Sequence, residues 1–563
     1  MSGISRRAWL QGLAATAASL PFARAHSAAA QPAPEVLYNG IRIAKPWPPA
    51  LRYPNEHPLP PPYLAQRPDV VPIDVGRQLF VDDFLIEETT LTQRAHRATY
   101  HSASPILRPE TPWEQRDDAS ERTKVPTNPA AMMFSDGAFY DHRERVFKLW
   151  YMAGYGTATC LALSNDGVHY ERPSFDVVRG TNIVSTSFRD SSTVWLDERA
   201  IDPRERYKMS FWYDRAVVLS TSPDGIHWQE IGRTPPVDDR STFFYNPFRH
   251  VWVFSLRDNQ FKGSMSGRYR RYWETPHFTS AASTPAWAGR PPVAWVKADS
   301  ADKPWPGYAD HAELYTLDCV GYESVMLGMF SIWRGEPQYR EKINEVGVGF
   351  SRDGFHWSRP DRSAFLPIGE KEGSWNWANI QSAGGGCLID GDRLLFYCSG
   401  RQGRPGSNAP GECTTGLATL RRDGFVSMDW VPEETRVMRV TGAMPQEGTL
   451  TTRPLRFSGA HLFVNAELLG GEMRVEVLDR AGRVVKGLSR EVCAPVTGNG
   501  TRLKVSWSGG DLRGVGEQPV RFRFSMTRGR LYAFWVSAWP TGESRGYPAA
   551  GGPEFTGPVD APR

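Results

Sequence analysis

The chain has 563 residues, more than a single hydrophobic core usually supports, so its length predicts two domains with flanking segments. Hydrophobic residues make up 40% and charged residues 23%, which is ordinary for a soluble globular protein. The formal net charge of +4 is small for this length and predicts neither a nucleic-acid partner nor attachment to a membrane.

The first 30 residues have the features of an export signal. Arg6 and Arg7 precede a mildly apolar run, and the small-residue site Ala23-Arg24-Ala25 follows it. We therefore predict a twin-arginine signal peptide over residues 1–30 and a periplasmic or secreted mature protein. A basic N-terminus without a targeting role is the alternative. No later run approaches the about 18 apolar residues of a membrane-spanning helix.

A Pro-rich segment follows over residues 31–72, with three consecutive prolines at 60–62. This composition favours extended, polyproline-like backbone. We expect a lead-in that either wraps the folded part of the chain or stays loose. Regular structure should begin at Ile73, with a first strand over Gln78 to Ile86.

A turn motif recurs along the middle of the chain. Its Asp-Gly pair favours a tight turn, because Asp caps its own turn and Gly provides the positive φ. The copies are Ser164–Tyr170 (SNDGVHY), Ser222–Trp228 (SPDGIHW), Ser351–Trp357 (SRDGFHW) and the shortened Arg421–Phe425 (RRDGF). The gap between the second and third copies is about two periods, so an eroded copy is expected at Ser266–Trp273.

Five such units, each long enough for four short strands, predict a five-bladed β-propeller over residues 73–438. The early strand at Gln78 to Ile86 is expected to complete the last blade and close the ring. Alternating apolar and polar strands without the turn motif predict a β-sandwich over residues 439–540. Gly and Pro enrichment predicts a flexible tail over 541–563. The predicted class is all-β, a five-bladed propeller followed by a sandwich.

The sequence contains no cysteine pair, metal-binding motif or cofactor motif that would indicate a function. The six cysteines form no C-x-x-C pair, so most are expected to be buried free thiols, with a disulfide as the alternative in an oxidising compartment. No catalytic serine elbow, zinc-protease motif, Walker loop or dinucleotide fingerprint is present. We expect no cofactor. A structural Ca²⁺ in the propeller channel is the alternative.

The inner strand of each blade lines the channel of a propeller, so the residue before it is presented at one mouth. All five of these residues are polar and three are acids: Asn128, Asp190, Asp239, Asp310 and Gln381. Clustered carboxylates repel and separate their pKa values, as a general acid and a base or nucleophile require. Two carboxylates flanking the bond are the usual arrangement for glycoside hydrolysis. Turn capping or a structural cation is the alternative role.

The repeated turn, the five units and the trailing sandwich resemble the five-bladed propeller glycoside hydrolases of families 32, 43, 62, 68 and 130, over about residues 73–540. Those families place an acid in each of blades one to three, and the blade-two Asp often follows an Arg. Arg189-Asp190 resembles that element, which implies an orienting, pKa-tuning or transition-state-stabilising role for Asp190. Asp239 occupies the blade-three position. Asn128 stands where the blade-one acid is expected, a departure from the family pattern.

Blade four offers a substitute acid in the segment Asp310 to Tyr315. Glu313 is the candidate general acid, and Asp310 is a further candidate carboxylate. His311 is a candidate for binding a sugar hydroxyl or acidic group, with a structural role as the alternative. The remaining candidate substrate-binding residues are Asn128, Arg189, Arg240 and Gln381, and Arg240, Arg334 and Arg401 are candidates for contacting a carboxylate or phosphate of the ligand.

The sequence thus favours an exported glycoside hydrolase that acts on a poly- or oligosaccharide. A non-catalytic glycan-binding propeller is one alternative, and it would lack a properly spaced acid pair. A phosphorylase or lyase on the same scaffold is another, and basic residues at the mouth would favour it. The expected partner is a carbohydrate, with no nucleic acid and no membrane.

Overall fold

The computed structural model describes residues 35–51, 57–116, 128–260, 267–382, 384–431 and 446–563. The predicted export signal lies outside these residues. Regular structure within them is almost entirely β-strand, and none of their helices is long and apolar enough to span a bilayer. The protein is all-β, with a five-bladed propeller and a sandwich, which confirms the predicted class.

Blades two and three are four-stranded antiparallel sheets. Their strands, inner to outer, are Ser192–Leu196, Tyr207–Tyr213, Ala216–Ser222 and Gln229–Arg233 in blade two, and Thr242–Asn246, Val251–Gln260, Gly267–Thr275 and Val293–Lys297 in blade three. Strand Gly267–Thr275 occupies the place of the expected eroded turn, so that prediction was wrong. Residues 276–292, with the short 3₁₀ helices Phe278–Ala281 and Thr284–Trp287, make this connection instead.

Blades one and four depart from this regular pattern. The inner strand of blade one is split into Ala131–Met132 and Ala138–Asp141, and Val146–Ala153, Ala158–Ser164 and Ile183–Ser185 follow it. Blade four has three long strands, Glu313–Glu323, Val325–Gly335 and Ile343–Ser351. Single bridges to Leu366 and Ser358 stand in for its outer strand.

Blade five closes the ring by pairing distant parts of the chain. Its strands are Asn379–Ser382, Leu388–Asp390, Arg393–Arg401 and Cys413–Arg421, and the outer strand is Thr99–Tyr100 from before blade one. The sequence placed the closing strand at Gln78 to Ile86, and this prediction was wrong. That segment pairs with the sandwich, because its apolar side chains Phe80, Phe84 and Leu85 are buried in the sandwich core.

The sandwich was predicted to begin at residue 439, but its sheets also contain Val426–Trp430 and strands from residues 78–95. One sheet contains Asn499–Lys504, His461–Glu467, Gly529–Ser537, Val426–Trp430 and Thr92–Ala95, with Gln78–Leu79 on Gly529–Ser537. The other contains Met473–Leu478, Arg521–Met526, Gly448–Thr452 and Ile86–Thr89. Residues 73–95 therefore belong to the sandwich rather than to the propeller, because their apolar faces complete its core.

The two flanking segments pack against the folded domains. The described part of the lead-in contains the hairpin Glu35–Val36/Arg42–Ile43 and the helix Pro62–Ala65, and Asn39 Nδ2 donates to the Arg352 carbonyl at 2.8 Å. The lead-in side chains Leu37, Ile41, Ile43 and Tyr63 are buried in the sandwich core, so the lead-in packs against both domains. Tyr547–Pro548 near the C-terminus pairs with the inner strand of blade four, and Asp560 is buried. This pairing corrects the expectation of a flexible tail.

The three complete turn motifs share one geometry that joins neighbouring blades. In blade two, Asp224 Oδ1 accepts the N–H groups of Ile226 and His227 at 2.8 and 2.9 Å. Gly225 has φ +80°, and its carbonyl accepts the indole N–H of Trp150 in blade one at 2.9 Å. Equivalent bonds join Tyr397 to Gly167 and Trp295 to Phe355. The repeat is therefore an element of inter-blade packing.

Gly225→Ala should destabilise the propeller. Its Cβ would lie 2.6 Å from Trp150 Cζ2, and the positive φ is itself strained for alanine. We expect about 1–2 kcal/mol from the backbone and about 1–3 kcal/mol from overpacking. Gly289→Ala is the matched control, because Gly289 has φ +77° and no atom within 4 Å of the added Cβ. Denaturant unfolding should separate the two variants; equal losses would contradict the packing role.

Asp224 should make the propeller sensitive to acid. Burial acts to raise the pKa of Asp224, but hydrogen bonds from His227, Ile226 and Ser222 lower it from 3.8 to about 2. A lowered folded-state pKa gives stability that is present above pH 3.8 and is lost as the pH falls towards 2. Asp224→Asn should cost about 1 kcal/mol at pH 6, since solvent screens this partly exposed carboxylate. A difference from wild type that persists unchanged at pH 2 in acid unfolding would contradict this assignment.

All six cysteines are buried and free, as most were expected to be. Burial raises the pKa of the Cys319 thiol, so this thiol stays protonated and unreactive near neutral pH.

Candidate active site at the propeller mouth

The mouth is the end of the channel at which the inner strands begin. Arg240 of blade three donates to Gln381 Oε1 of blade five. Its guanidinium carbon lies 3.7 Å from the centre of the Phe134 ring in blade one. A side chain can contact blades one, three and five together only near the propeller axis. Arg240 therefore forms the floor of the mouth.

Arg240 takes the channel position that the sequence assigned to its neighbour Asp239. Arg240 has φ +58°, an uncommon value for a residue with a side chain, and its side chain is buried. Asp239 is partly exposed and pairs with Arg257 of the same blade. The backbone turn thus places a cation rather than an acid on the axis in blade three.

Tyr315 takes the corresponding channel position in blade four. The pairing of the inner strand with its neighbour is interrupted by a bulge between Leu314 and Thr316, and Tyr315 is the extra residue. A bulge redirects the side chain of its extra residue. The Tyr315 ring is consequently close to Arg240, whose guanidinium carbon lies 5.4 Å from the ring centre.

Positive charges surround the Tyr315 phenol. The Arg268 guanidinium carbon lies 5.4 Å and Lys342 Nζ 5.9 Å from the ring centre. Burial acts to raise the pKa of Tyr315, but the charges of Lys342, Arg240 and Arg401 outweigh burial and hold this pKa below its ordinary value. Tyr315 is therefore an unusually acidic phenol that faces groups from several blades.

Asp190 is the mouth carboxylate of blade two. It is partly buried, and Oδ1 accepts the N–H of Ser191 at 2.7 Å. Its negative charge acts on Tyr155, Arg240 and Tyr315, which belong to blades one, three and four. Within the described part of the chain, no Lys, Arg or His nitrogen lies within 4.0 Å of its carboxylate, so Asp190 keeps its charge available to a ligand.

Arg189 supports Asp190 from below the mouth. Its guanidinium is buried and donates to both oxygens of Asp136, at 2.6 and 2.9 Å, and to Thr159 Oγ1 at 2.9 Å. Its Nε donates to the carbonyl of Asp190 at 2.9 Å. Burial raises the pKa of Asp136, although Arg189 opposes this effect. Arg189 therefore fixes the backbone of Asp190, and its own donors are held by protein groups.

The blade-four candidates differ in exposure. Glu313 accepts Arg268 Nη1 at 2.7 Å and the Arg268 N–H at 3.2 Å. His311 is half exposed and lies 3.6 Å from Glu313. Asp310 is exposed at the start of this segment. Glu313 is thus a mouth carboxylate held by an arginine of blade three, whereas Asp310 lies further from the channel.

Arg401 ties blade five to the other side of the mouth. Its Nη1 lies 2.8 Å from Glu341, and its Nη2 donates to the Tyr155 hydroxyl at 3.1 Å. Burial raises the pKa of Glu341 although Arg401 opposes it, and burial raises the pKa of Tyr155 to about 12. Arg334 instead pairs with Glu345, away from these groups.

The two neutral candidates are both buried. Gln381 accepts from Arg240 and donates to Asn379 Oδ1 at 2.8 Å. Asn128 precedes the inner strand of blade one and is 1% exposed. Gln381 therefore orients Arg240 on the axis. In the ranges that the structure describes, no group of three or more His, Cys, Asp or Glu side chains could hold a metal ion.

An aromatic ledge lies beside the mouth, formed by Trp305, Tyr308 and Tyr339. Trp305 and Tyr308 stack with their ring centres 6.1 Å apart, and Tyr339 meets Tyr308 edge-on at 6.0 Å. Tyr339 is 57% exposed and lies three residues before Lys342. Exposed rings next to a polar cleft are typical of ligand sites.

Tyr155, Tyr315 and Lys342 are among the mouth residues that the sequence did not predict. Tyr315 ends the candidate segment that begins at Asp310, but the bulge that turns it inward is not visible in the residue pattern. Lys342 and Tyr155 lie on connections between strands, whereas the mouth positions were predicted from strand starts. Both connections lie at the mouth end of their blades, and this position is the signal that points to them.

No protein-family model and no curated protein matches this chain. Among solved structures, it is similar to an N-acetylgalactosamine deacetylase from F. plautii, with 14% identity, a TM-score of 0.39, and 59% of this chain and 96% of that chain covered. It is also similar to a thermostable family-43 glycoside hydrolase, with 10% identity, a TM-score of 0.36, and coverage of 56% and 100%. A fructofuranosidase from Schwanniomyces occidentalis matches with 11% identity, a TM-score of 0.33, and coverage of 74% and 98%. Propeller glycoside hydrolases are thus among the proteins that this chain resembles, at similarities too low to transfer activity or residue roles.

Proposed function

We propose that this protein is an exported glycoside hydrolase whose active site is the propeller mouth. Asp190 carries the proposal: it is a mouth carboxylate without an ion-pair partner among the described residues, and groups from three other blades surround it. A carboxylate left available in this way is suited to act as base, nucleophile or electrostatic stabiliser. The adjoining aromatic ledge offers surfaces on which sugar rings can stack.

Glu313 is the proposed second carboxylate. Arg268 orients it, and the half-exposed His311 lies 3.6 Å from it. In this proposal Glu313 protonates the leaving-group oxygen while Asp190 acts at the sugar ring. The pair Arg268–Glu313 would have to loosen when substrate binds, because Arg268 holds Oε2 of the carboxyl group that must reach the leaving-group oxygen.

The test is release of reducing sugar from arabinans, fructans, xylans and uronate-bearing glycans, with binding followed in parallel. Turnover of at least one glycan is the expected result. Binding without turnover across the panel would overturn the hydrolase proposal and favour a glycan-binding propeller.

A second candidate is a lyase for uronate-bearing glycans, and the cations around Tyr315 favour it. The Tyr315 phenolate would accept the proton from the carbon beside the sugar carboxylate. The electrons of that C–H bond would form a C=C bond as the glycosidic C–O bond breaks, and the leaving oxygen would take a proton from solvent. The unsaturated product absorbs ultraviolet light, which distinguishes this reaction from hydrolysis.

A further inference from the structure

Positive charge is in excess at the mouth. Three of its carboxylates are each paired with an arginine, as Asp239–Arg257, Glu313–Arg268 and Glu341–Arg401. Three further cations remain, Arg240, Lys342 and the buried Arg270, and the charges of Asp190 and the buried Asp318 act on Arg240. Since the three pairs are neutral, the charge around Tyr315 is set by these three cations and two carboxylates, and the cations are in excess.

Arg240 is a buried cation with unused hydrogen-bond donors. Its side chain is 1% exposed, and Nε and Nη1 have no hydrogen-bond partner among the described residues. No carboxylate of those residues lies within 4.0 Å of it. Gln381 and the Phe134 ring are among its partners, but burying a charge without a carboxylate partner is costly, and buried polar atoms nearly always find a hydrogen bond. The two free donors therefore indicate a group that the isolated chain does not supply.

Lys342 approaches the same place from the solvent side. Its side chain is 23% exposed, and its Nζ lies 5.9 Å from the Tyr315 ring centre. Its nearest carboxylate among the described residues is that of Glu336, at the limiting distance of 4.0 Å, and Glu336 is itself exposed. Lys342 and Arg240 thus approach Tyr315 from different blades.

We propose that the mouth binds a sugar that carries an anionic group, a carboxylate or a sulfate ester, and that Arg240 and Lys342 hold this group beside Tyr315. The inference specifies the substrate class of the site and rests on the proposed function. Guanidinium and ammonium groups form charge-assisted hydrogen bonds with such oxygens, and these bonds are about twice as strong as neutral ones. Asp190, on blade two, remains available to the bond that is cleaved.

The ligands that test this are oligogalacturonides, the same oligosaccharides as methyl esters, sulfated galactan oligosaccharides and neutral galactan oligosaccharides. Titration calorimetry should give affinities for at least one anionic ligand about tenfold or more above those for its uncharged counterpart, and the difference should shrink with added salt. Tighter binding of the uronate assigns a carboxylate, and tighter binding of the sulfated ligand assigns a sulfate ester. Equal affinity for charged and uncharged forms, or no binding of either, would overturn the proposal.

Variants locate the anionic group. Lys342→Met should weaken binding of the anionic ligand about ten- to hundredfold and leave the neutral ligand unaffected. Lys303→Met is the matched control, because Lys303 is an exposed lysine that donates to the Ser300 carbonyl outside the mouth. Arg240→Met is a second variant for the floor. Equal effects of Lys342→Met and Lys303→Met would contradict the assignment.

Failure of this inference can be told apart from failure of the proposed function. Selective binding of anionic ligands without turnover would refute the hydrolase and support the anionic site. Hydrolysis of neutral glycans with no preference for charged ones would support the hydrolase and refute the anionic site.

Discussion

Asp190→Asn is expected to reduce kcat about 10²- to 10⁴-fold on any glycan that the wild-type protein cleaves. The substitution removes the negative charge and keeps the size of the side chain, so the hydrogen bond from Ser191 can persist. Substrate binding should survive, because Arg240, Lys342 and the aromatic ledge are untouched. Steady-state kinetics and calorimetry on the same sample measure the two effects separately.

Asp214→Asn is the matched control for this variant. Asp214 is an exposed aspartate of the same blade with φ +48°, a conformation that asparagine tolerates. It should leave kcat within about twofold of wild type. Glu313→Gln should resemble Asp190→Asn if the two carboxylates act as a pair. A wild-type rate in Asp190→Asn would contradict the assignment of the active site.

Arg77→Met is expected to destabilise the protein by about 3–5 kcal/mol. Arg77 is fully buried; its Nη1 donates to Asp423 and to the Thr501 carbonyl, both at 2.9 Å, and its Nε lies 3.5 Å from Glu323. Its guanidinium also stacks over Trp535 at 4.2 Å. These partners belong to blade four, the end of blade five and the sandwich. Removing Arg77 leaves two buried carboxylates with less compensation at the junction of the domains.

Denaturant unfolding of Arg77→Met beside Arg108→Met tests this role. Arg108 pairs with Glu412 at 2.6 Å, but these side chains are 49% and 34% exposed, so solvent screens the pair and its loss should cost about 1 kcal/mol or less. A loss in Arg77→Met no larger than that in Arg108→Met would show that the buried network does not hold the domains together.

The sequence predicted the architecture well where the pattern was local. The Asp-Gly turns at Asp166, Asp224 and Asp353 set the blade period, because turn capping and positive φ depend on adjacent residues. The closing strand was predicted wrongly, because pairing between distant strands depends on the hydrophobic core in which each apolar face is buried. Thr99–Tyr100 and Gln78–Leu79 are both two-residue strands, and their own sequences do not show which sheet each joins.

In the candidate site, too, some residues could be predicted from local sequence and others depend on the tertiary structure. Asp190 was located from the sequence, since it precedes a regular strand whose start is readable from its residues. The shift from Asp239 to Arg240 depends on one positive φ, and the inward turn of Tyr315 depends on one bulge. No glycine or proline adjacent to Arg240 or Tyr315 indicates the unusual backbone conformation at either residue.

What the sequence by itself determined is the repeat, the all-β class and one mouth carboxylate, because each follows from short-range turn and strand preferences. Only the tertiary structure decided that the mouth is basic. Arg240, Lys342 and Arg401 come from three blades and lie far apart in the chain, and their charges combine only because ring closure brings the blades around one axis. Electrostatic interactions at this range depend on distance in space, which the order of residues does not fix.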